Sequence, residues 1–264
     1  MNRRAKAYSQ TVRQVIVQEL PQWIEEEPAL RRRLTALLRE PQRPQMTYEE
    51  FLAWADEDTL AEWVDGEAVM YSSASRRHQD MVGFLYKVLY AYVQLHHLGV
   101  VIQAPFQMKL ERGREPDLLF VARAHLGWLK ETHLEGPADL VVEIVSPESL
   151  ARDRGTKFDE YETGGVQEYW LLDPDRQWAE FYHLEKGRYR PTFSGDAGIY
   201  RSHVLPGFWL RVEWLWQEPL PPMEDVLLEV EGEGYARWLL ERLQQRPAHV
   251  APVSYSQAER EEGQ

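Results

Sequence analysis

Asp139-Leu140-Val141-Val142-Glu143-Ile144-Val145-Ser146-Pro147 is the stretch whose reading decides the fold. Its β-branched apolar run, bounded by an acid and by Ser-Pro, has the composition of a strand covered on both faces. Glu143 interrupts the run. A carboxylate there is costly to desolvate, so it must be neutralised, hydrogen-bonded or bound to a cation. Upstream, Glu115-Pro116-Asp117-Leu118-Leu119-Phe120-Val121 repeats the theme of an acid leading into an apolar strand. Alternation puts Val141, Glu143 and Val145 on one face of their strand and Asp117, Leu119 and Val121 on one face of theirs. If the strands are neighbours, both carboxylates point the same way.

Downstream of Pro147 the pattern becomes helical to about Thr163 and stops at Gly164-Gly165, a helix C-terminal signal. Arg154, Lys157 and Tyr161 are spaced at i, i+3 and i+7, which predicts one helix face near the carboxyl end of the Glu143 strand. Glu168 to Pro174 reads as another buried strand closed by a turn. A strand, helix, strand crossover over about 139–172 implies that the two strands are parallel.

Thr47 and Glu50 form a capping box at a helix start, and Ala61 to Met70 reads as a hairpin about Asp65-Gly66. A long helix is expected over about 76–98. Strands at 100–103, 106–110 and 117–121 predict a meander leading into the central strand. Beyond 173, hairpin strands flank Lys186-Gly187, short strands at 201–205 and 208–212 close the sheet, and two helices lie in 223–245. Residues 1–45 read as a helical extension with apolar stripes at Val12, Val15, Ile16, Leu20 and at Leu30, Leu34, Leu37, Leu38. The tail from 246 is polar and expected to be unstructured. The boundaries predicted are thus 1–45, 46–216 and 217–264.

The chain of 264 residues is 44% hydrophobic with ten tryptophans, enough for one sizeable core with terminal additions. It has no cysteine, which removes disulfides, thiolate metal sites and cysteine nucleophiles. The start lacks the apolar stretch of a signal peptide, and no apolar run reaches the roughly 20 residues of a membrane span. A cytoplasmic protein with no membrane partner is expected. The net charge of −13 argues against nonspecific coating of nucleic acid. Yet Arg76, Arg77, Lys109, Arg112, Arg114, Arg152, Arg154 and Lys157 flank the central stretch, so a local basic cleft is compatible with an acidic body.

Two hard oxygen ligands, Asp117 and Glu143, with a backbone carbonyl and waters make an arrangement for Mg²⁺ or Mn²⁺ rather than Zn²⁺. Such an ion suits phosphodiester hydrolysis. Lys157 is then the cation that orients or deprotonates water, or neutralises the transition state.

These motifs resemble the Uma2 family of restriction-endonuclease-like proteins. The resemblance rests on Val-x-Glu-Ile-x-Ser-Pro, on Pro-Asp-Leu-Leu-Phe-Val before it, on Arg-Asp-Arg-Gly-x-Lys and Glu-Tyr-Trp after it, and on the Asp-Gly-Glu hairpin, Arg77-His78-Gln79 and Leu205-Pro206-Gly207-Phe208. It covers about residues 46–216. It implies an α/β restriction endonuclease-like core of the PD-(D/E)XK type, a central mixed β-sheet flanked by helices, here with added N- and C-terminal helices. On that pattern Pro116-Asp117 is the PD, Glu143-Ile144-Val145 is the (D/E)XK with valine in the lysine position, and Lys157 is the lysine moved to the next helix. The Ile144 carbonyl and Glu67 are further metal-site candidates, and Arg76, Arg77, His78, Arg152 and Arg154 are candidates for DNA contact. The expected activity is a Mg²⁺- or Mn²⁺-dependent endodeoxyribonuclease, with a homodimer through the terminal helices as its assembly. A catalytically silent nuclease fold that binds or assembles, and a hydrolase of a small phosphodiester, are the alternatives.

Overall fold

The computed structural model describes residues 46–55, 61–70, 75–145 and 152–245. The N-terminal helices expected before residue 46, the start of the helix after Pro147 and the tail beyond 245 lie outside the described residues.

Helix α1 (Tyr48–Trp54) begins at the expected capping box, with both the Thr47 and Glu50 side chains bonded to backbone N–H groups. Strands β1 (Ala61–Val64) and β2 (Glu67–Met70) form the hairpin, and Asp65 and Gly66 take positive φ values of 51° and 86° in its turn. Two positive φ values are the requirement that Asp-Gly meets in a tight hairpin. Helix α2 (Arg76–Leu95) is capped by Ser75 and buries a stripe from Met81 to Val93.

The strands that follow correct the expected meander. β3 (Gly99–Gln103) pairs directly with β6 (Leu118–Ala122). β4 (Gln107–Lys109) and β5 (Gly113–Arg114) turn away to join the hairpin, and β7 (His133–Glu135), which the sequence did not reveal, completes that second sheet in the order β2-β1-β5-β4-β7. Strands of two or three residues carry too little period to be told from loop.

β8 (Leu140–Ile144), the central strand, runs antiparallel to β6 and parallel to β9 (Glu168–Asp173), as the crossover rule requires. With β10 (Trp178–Glu185) and β11 (Arg188–Gly195) the main sheet is mixed and six-stranded, in the order β11-β10-β9-β8-β6-β3. A π turn at Arg152–Lys157 leads into α3 (Phe158–Gly164), which ends with Gly165 in the left-handed region at φ 91°. Among the described residues β12 (Ile199–Arg201) and β13 (Trp209–Arg211) pair only with each other instead of closing the main sheet, the strand expected over 201–205 ends at Arg201, and α4 (Met223–Glu231) and α5 (Glu233–Gln244) close the described chain.

Both faces of the main sheet are buried. One packs Phe120, Val142, Ile144 and Trp170 against α2 and against Val226, Leu227 and Tyr235 of the C-terminal helices. The other packs Leu119, Val121, Val141, Val145 and Tyr169 with Tyr161 of α3 and with Met108 and Leu134 of the second sheet. Glu143, between Val141 and Val145, falls on this second face. The acid therefore points into the gap between the main sheet, α3 and the smaller sheet. No helix among the described residues is long and apolar enough to cross a membrane.

Candidate active site

Continuing the register of β6 against β8, Asp117 stands opposite Glu143. Its Oδ2 accepts the Ile144 backbone N–H at 2.7 Å and lies 3.2 Å from His78 Nε2 in the first turn of α2. Glu143 is 3% exposed. Its Oε1 accepts from Lys157 Nζ at 2.8 Å and from the Tyr161 hydroxyl at 2.6 Å. The segment after β8 thus folds back over the strand and returns a cation to its buried acid.

Arg154, expected on the face of Lys157 and Tyr161, instead reaches Glu180 of β10 at 3.0 Å. The π turn explains the difference. Its i→i+5 bonds make a wider turn than an α-helix, so residues three apart no longer share a face.

Glu62, fully buried on β1, is the site residue that the sequence reading missed. Its Oε1 is 3.2 Å from Lys157 Nζ, and its Oε2 is 2.7 Å from Arg114 Nη1. Asp153 Oδ1 completes the surroundings of Lys157 at 3.5 Å. Arg114 also binds Glu160 of α3, and Arg112 joins Glu160 to Asp65 at the hairpin turn. A chain of ion pairs runs from the turn to Lys157. Alternation in Ala61-Glu62-Trp63-Val64 equally suits a strand with one wet face, so nothing in it marked Glu62 as buried. Glu67 stands opposite Val64, on the same hairpin face as Glu62 but at the turn end.

Burial raises Glu143 to about 8, although Lys157 pulls the other way. Burial likewise raises Glu115 to about 7 against the hydrogen bond from Gln107. The Lys157 ammonium is drawn down by burial, but Glu143, Glu62 and Asp153 more than reverse this and hold it well above an ordinary lysine. It is a fixed cation near neutral pH, suited to stabilising charge rather than to taking a proton. His78 is also lowered by burial and raised by Asp117, with a net rise.

The expected basic flank is largely compensated. Lys109, Arg112, Arg114 and Arg154 each pair with a carboxylate. Arg76 is almost fully exposed and pairs with Asp80 at 3.4 Å, Arg77 is half-buried beside it, and the Arg152 side chain lies outside the described residues.

Among the described residues no three His, Asp or Glu side chains form a ready metal cage. Asp117 and Glu143 supply two hard carboxylates, the number with which Mg²⁺ is commonly held while waters and substrate oxygens fill its other positions. The carboxylates Glu62, Glu115, Asp117, Glu143 and Asp153 outnumber Lys157 and Arg114 among them, and the neighbouring acids add to the burial that chiefly raises Glu143 and Glu115. The donor set fits a divalent cation.

The profile of the Uma2 family, described as "Putative restriction endonuclease", matches residues 48–213. The chain belongs to the Uma2 family. The Uma2 match spans every residue of the constellation above and stops short of α4 and α5. A solved structure described as "a putative nuclease belonging to DUF820", from Anabaena variabilis ATCC 29413, superposes with a TM-score of 0.57 at 16% identity. The superposition covers 65% of this chain and 97% of that one, and shows a shared fold. No curated protein matches.

Proposed function

We propose that this Uma2 chain is a metal-dependent endodeoxyribonuclease that hydrolyses DNA phosphodiester bonds with Mg²⁺ or Mn²⁺ in the cytoplasm. The observation that carries the reading is Lys157 Nζ at 2.8 Å from Glu143 Oε1, across from Asp117. The acid pair and the displaced lysine share one gap.

Asp117, Glu143 and the Ile144 backbone carbonyl would hold the ion, with Glu67 as an added candidate. Bound there, it would supply Lewis-acid stabilisation of a phosphate oxygen and a more acidic water. Lys157 would offset the negative charge that builds on the phosphate in the transition state. Tyr161 and Glu62 hold Glu143 and Lys157 in place for this. Arg76 and Arg77 would contact backbone phosphates, with Arg152 and Arg154 joining if Arg154 exchanges Glu180 for a phosphate. Two copies paired through the terminal helices would bring two sites to the two strands of a duplex. Leu239, Leu240 and Leu243, exposed on α5, supply an apolar surface for that pairing.

A catalytically silent nuclease fold is the second reading, favoured by one observation. Glu143 and Lys157 are buried and already hydrogen-bonded to each other. Cleavage of plasmid and single-stranded DNA with Mg²⁺ or Mn²⁺ separates the two, comparing wild type with Asp117→Ala and Lys157→Ala. No cleavage and no metal binding by wild type would end the enzyme reading; cleavage surviving both substitutions would end the site assignment.

A further inference from the structure

Asp117 has two carboxylate oxygens, and the described residues engage one of them. Oδ2 receives the Ile144 N–H from β8 and faces His78 Nε2 from α2. We infer that His78 is a positioning residue: with Ile144 it holds Asp117 Oδ2, so that Oδ1 is the oxygen presented to the metal. The inference rests on the metal-dependent reading above.

A single donor leaves a carboxylate free to swing, because the terminal torsion of aspartate is broad. One donor from β8 and an imidazole nitrogen 3.2 Å away on α2, arriving from different elements, restrict its plane. His78 is itself held in place, since Ser75 Oγ accepts the His78 backbone N–H at 3.2 Å and the side chain is only 13% exposed. The ring is turned inward. Nε2 faces Asp117 and Nδ1 is buried without a hydrogen-bond partner, so neither nitrogen is presented outward to a DNA phosphate. This departs from the phosphate contact expected of a histidine at a helix start. Partners that orient a metal-binding side chain in this way typically matter ten- to a hundred-fold in metal affinity.

The test is calorimetric titration of the full chain with Mn²⁺ alone, for wild type, His78→Ala, His78→Gln and His78→Asn. The amide nitrogen of glutamine can replace Nε2, whereas that of asparagine sits nearer Nδ1. His78→Ala and His78→Asn should bind Mn²⁺ about ten- to a hundred-fold more weakly, and His78→Gln should recover to within about threefold of wild type. In plasmid cleavage His78→Ala should lower kcat and leave KM for DNA unchanged. Wild-type Mn²⁺ affinity in His78→Ala, or an equal loss in His78→Gln, would overturn the inference; a rise in KM alone would assign a phosphate contact and overturn it too. If His78→Ala does not fold, the glutamine and asparagine variants carry the comparison. A wild type that binds no Mn²⁺ removes the metal reading and this inference together, while binding that ignores residue 78 removes the inference alone.

Discussion

Lys157 Nζ and Glu143 Oε1 lie 2.8 Å apart, joining a π turn to a strand that is buried along its whole length. The strand carries the acid where neighbouring Val145 is packed among apolar and aromatic side chains. The cation comes from the next element. Acid and cation are thus fourteen residues apart in sequence and in contact in the fold.

Lys157→Met should be strongly destabilising, because Glu143, Glu62 and Asp153 would lose the buried cation they share. Breaking a buried pair from one side costs on the order of 3–5 kcal/mol. Adding Glu62→Gln removes one orphaned charge, so the double variant should regain part of that loss, with a coupling of about 1–3 kcal/mol. Urea unfolding of the single and double variants reads this directly. Additive losses would mean that Glu62 and Lys157 do not share a network. DNA cleavage should be absent from both.

Stability should also carry the signature of Glu143. Its carboxyl titrates at 4.5 when unfolded and is raised to about 8 when folded, so the folded state keeps a proton that the unfolded chain has released. That contribution is complete below pH 4.5 and is lost as pH rises through 8. In EDTA, wild type should therefore lose stability relative to Glu143→Gln across this window and run parallel to it above about pH 9. Denaturant unfolding at a series of pH values tests this. Saturating Mg²⁺ should lift wild type and leave the glutamine variant unmoved, and parallel curves throughout would show that burial does not raise this carboxyl.

The contacts at Glu143 were legible because long-range signals agreed: an acid inside a β-branched run, a parallel crossover and one lysine in the returning segment. The hairpin and the α1 cap were legible because Asp-Gly and Thr-x-x-Glu each fix a local geometry. Glu62 was not, since its burial depends on β5 bringing Arg114 beside it, and β5 is two residues long. Arg154 was misplaced because helical spacing was taken as α where the chain makes a π turn. Three-residue β7 gave no period to read.

The ion-pair chain should be strong at its buried end and weak at its exposed end. Arg114 is 2% exposed and bonded to Glu62 and Glu160, whereas the Asp65 side chain that Arg112 meets is 48% exposed. Arg114→Leu should cost about 3–5 kcal/mol, and Asp65→Ala about 1 kcal/mol or less. The Asp65 effect should shrink in 1 M salt, where exposed charges are screened within about 3 Å, while the Arg114 effect persists. Equal costs in chemical denaturation would mean that the chain is held as much by the turn as by its buried links.

Two helix caps separate stability from function. Thr47 caps α1 and Ser75 caps α2, each accepting a backbone N–H in the first turn, at 3.1 and 3.2 Å. Thr47→Ala and Ser75→Ala should therefore each cost about 1 kcal/mol. Only the Ser75 cap fixes the turn that carries His78 toward Asp117. At a temperature where both variants are fully folded, Ser75→Ala should weaken Mn²⁺ binding severalfold and Thr47→Ala should leave it unchanged. If both weaken it equally, metal affinity follows global stability and the first turn of α2 has no special hold on Asp117.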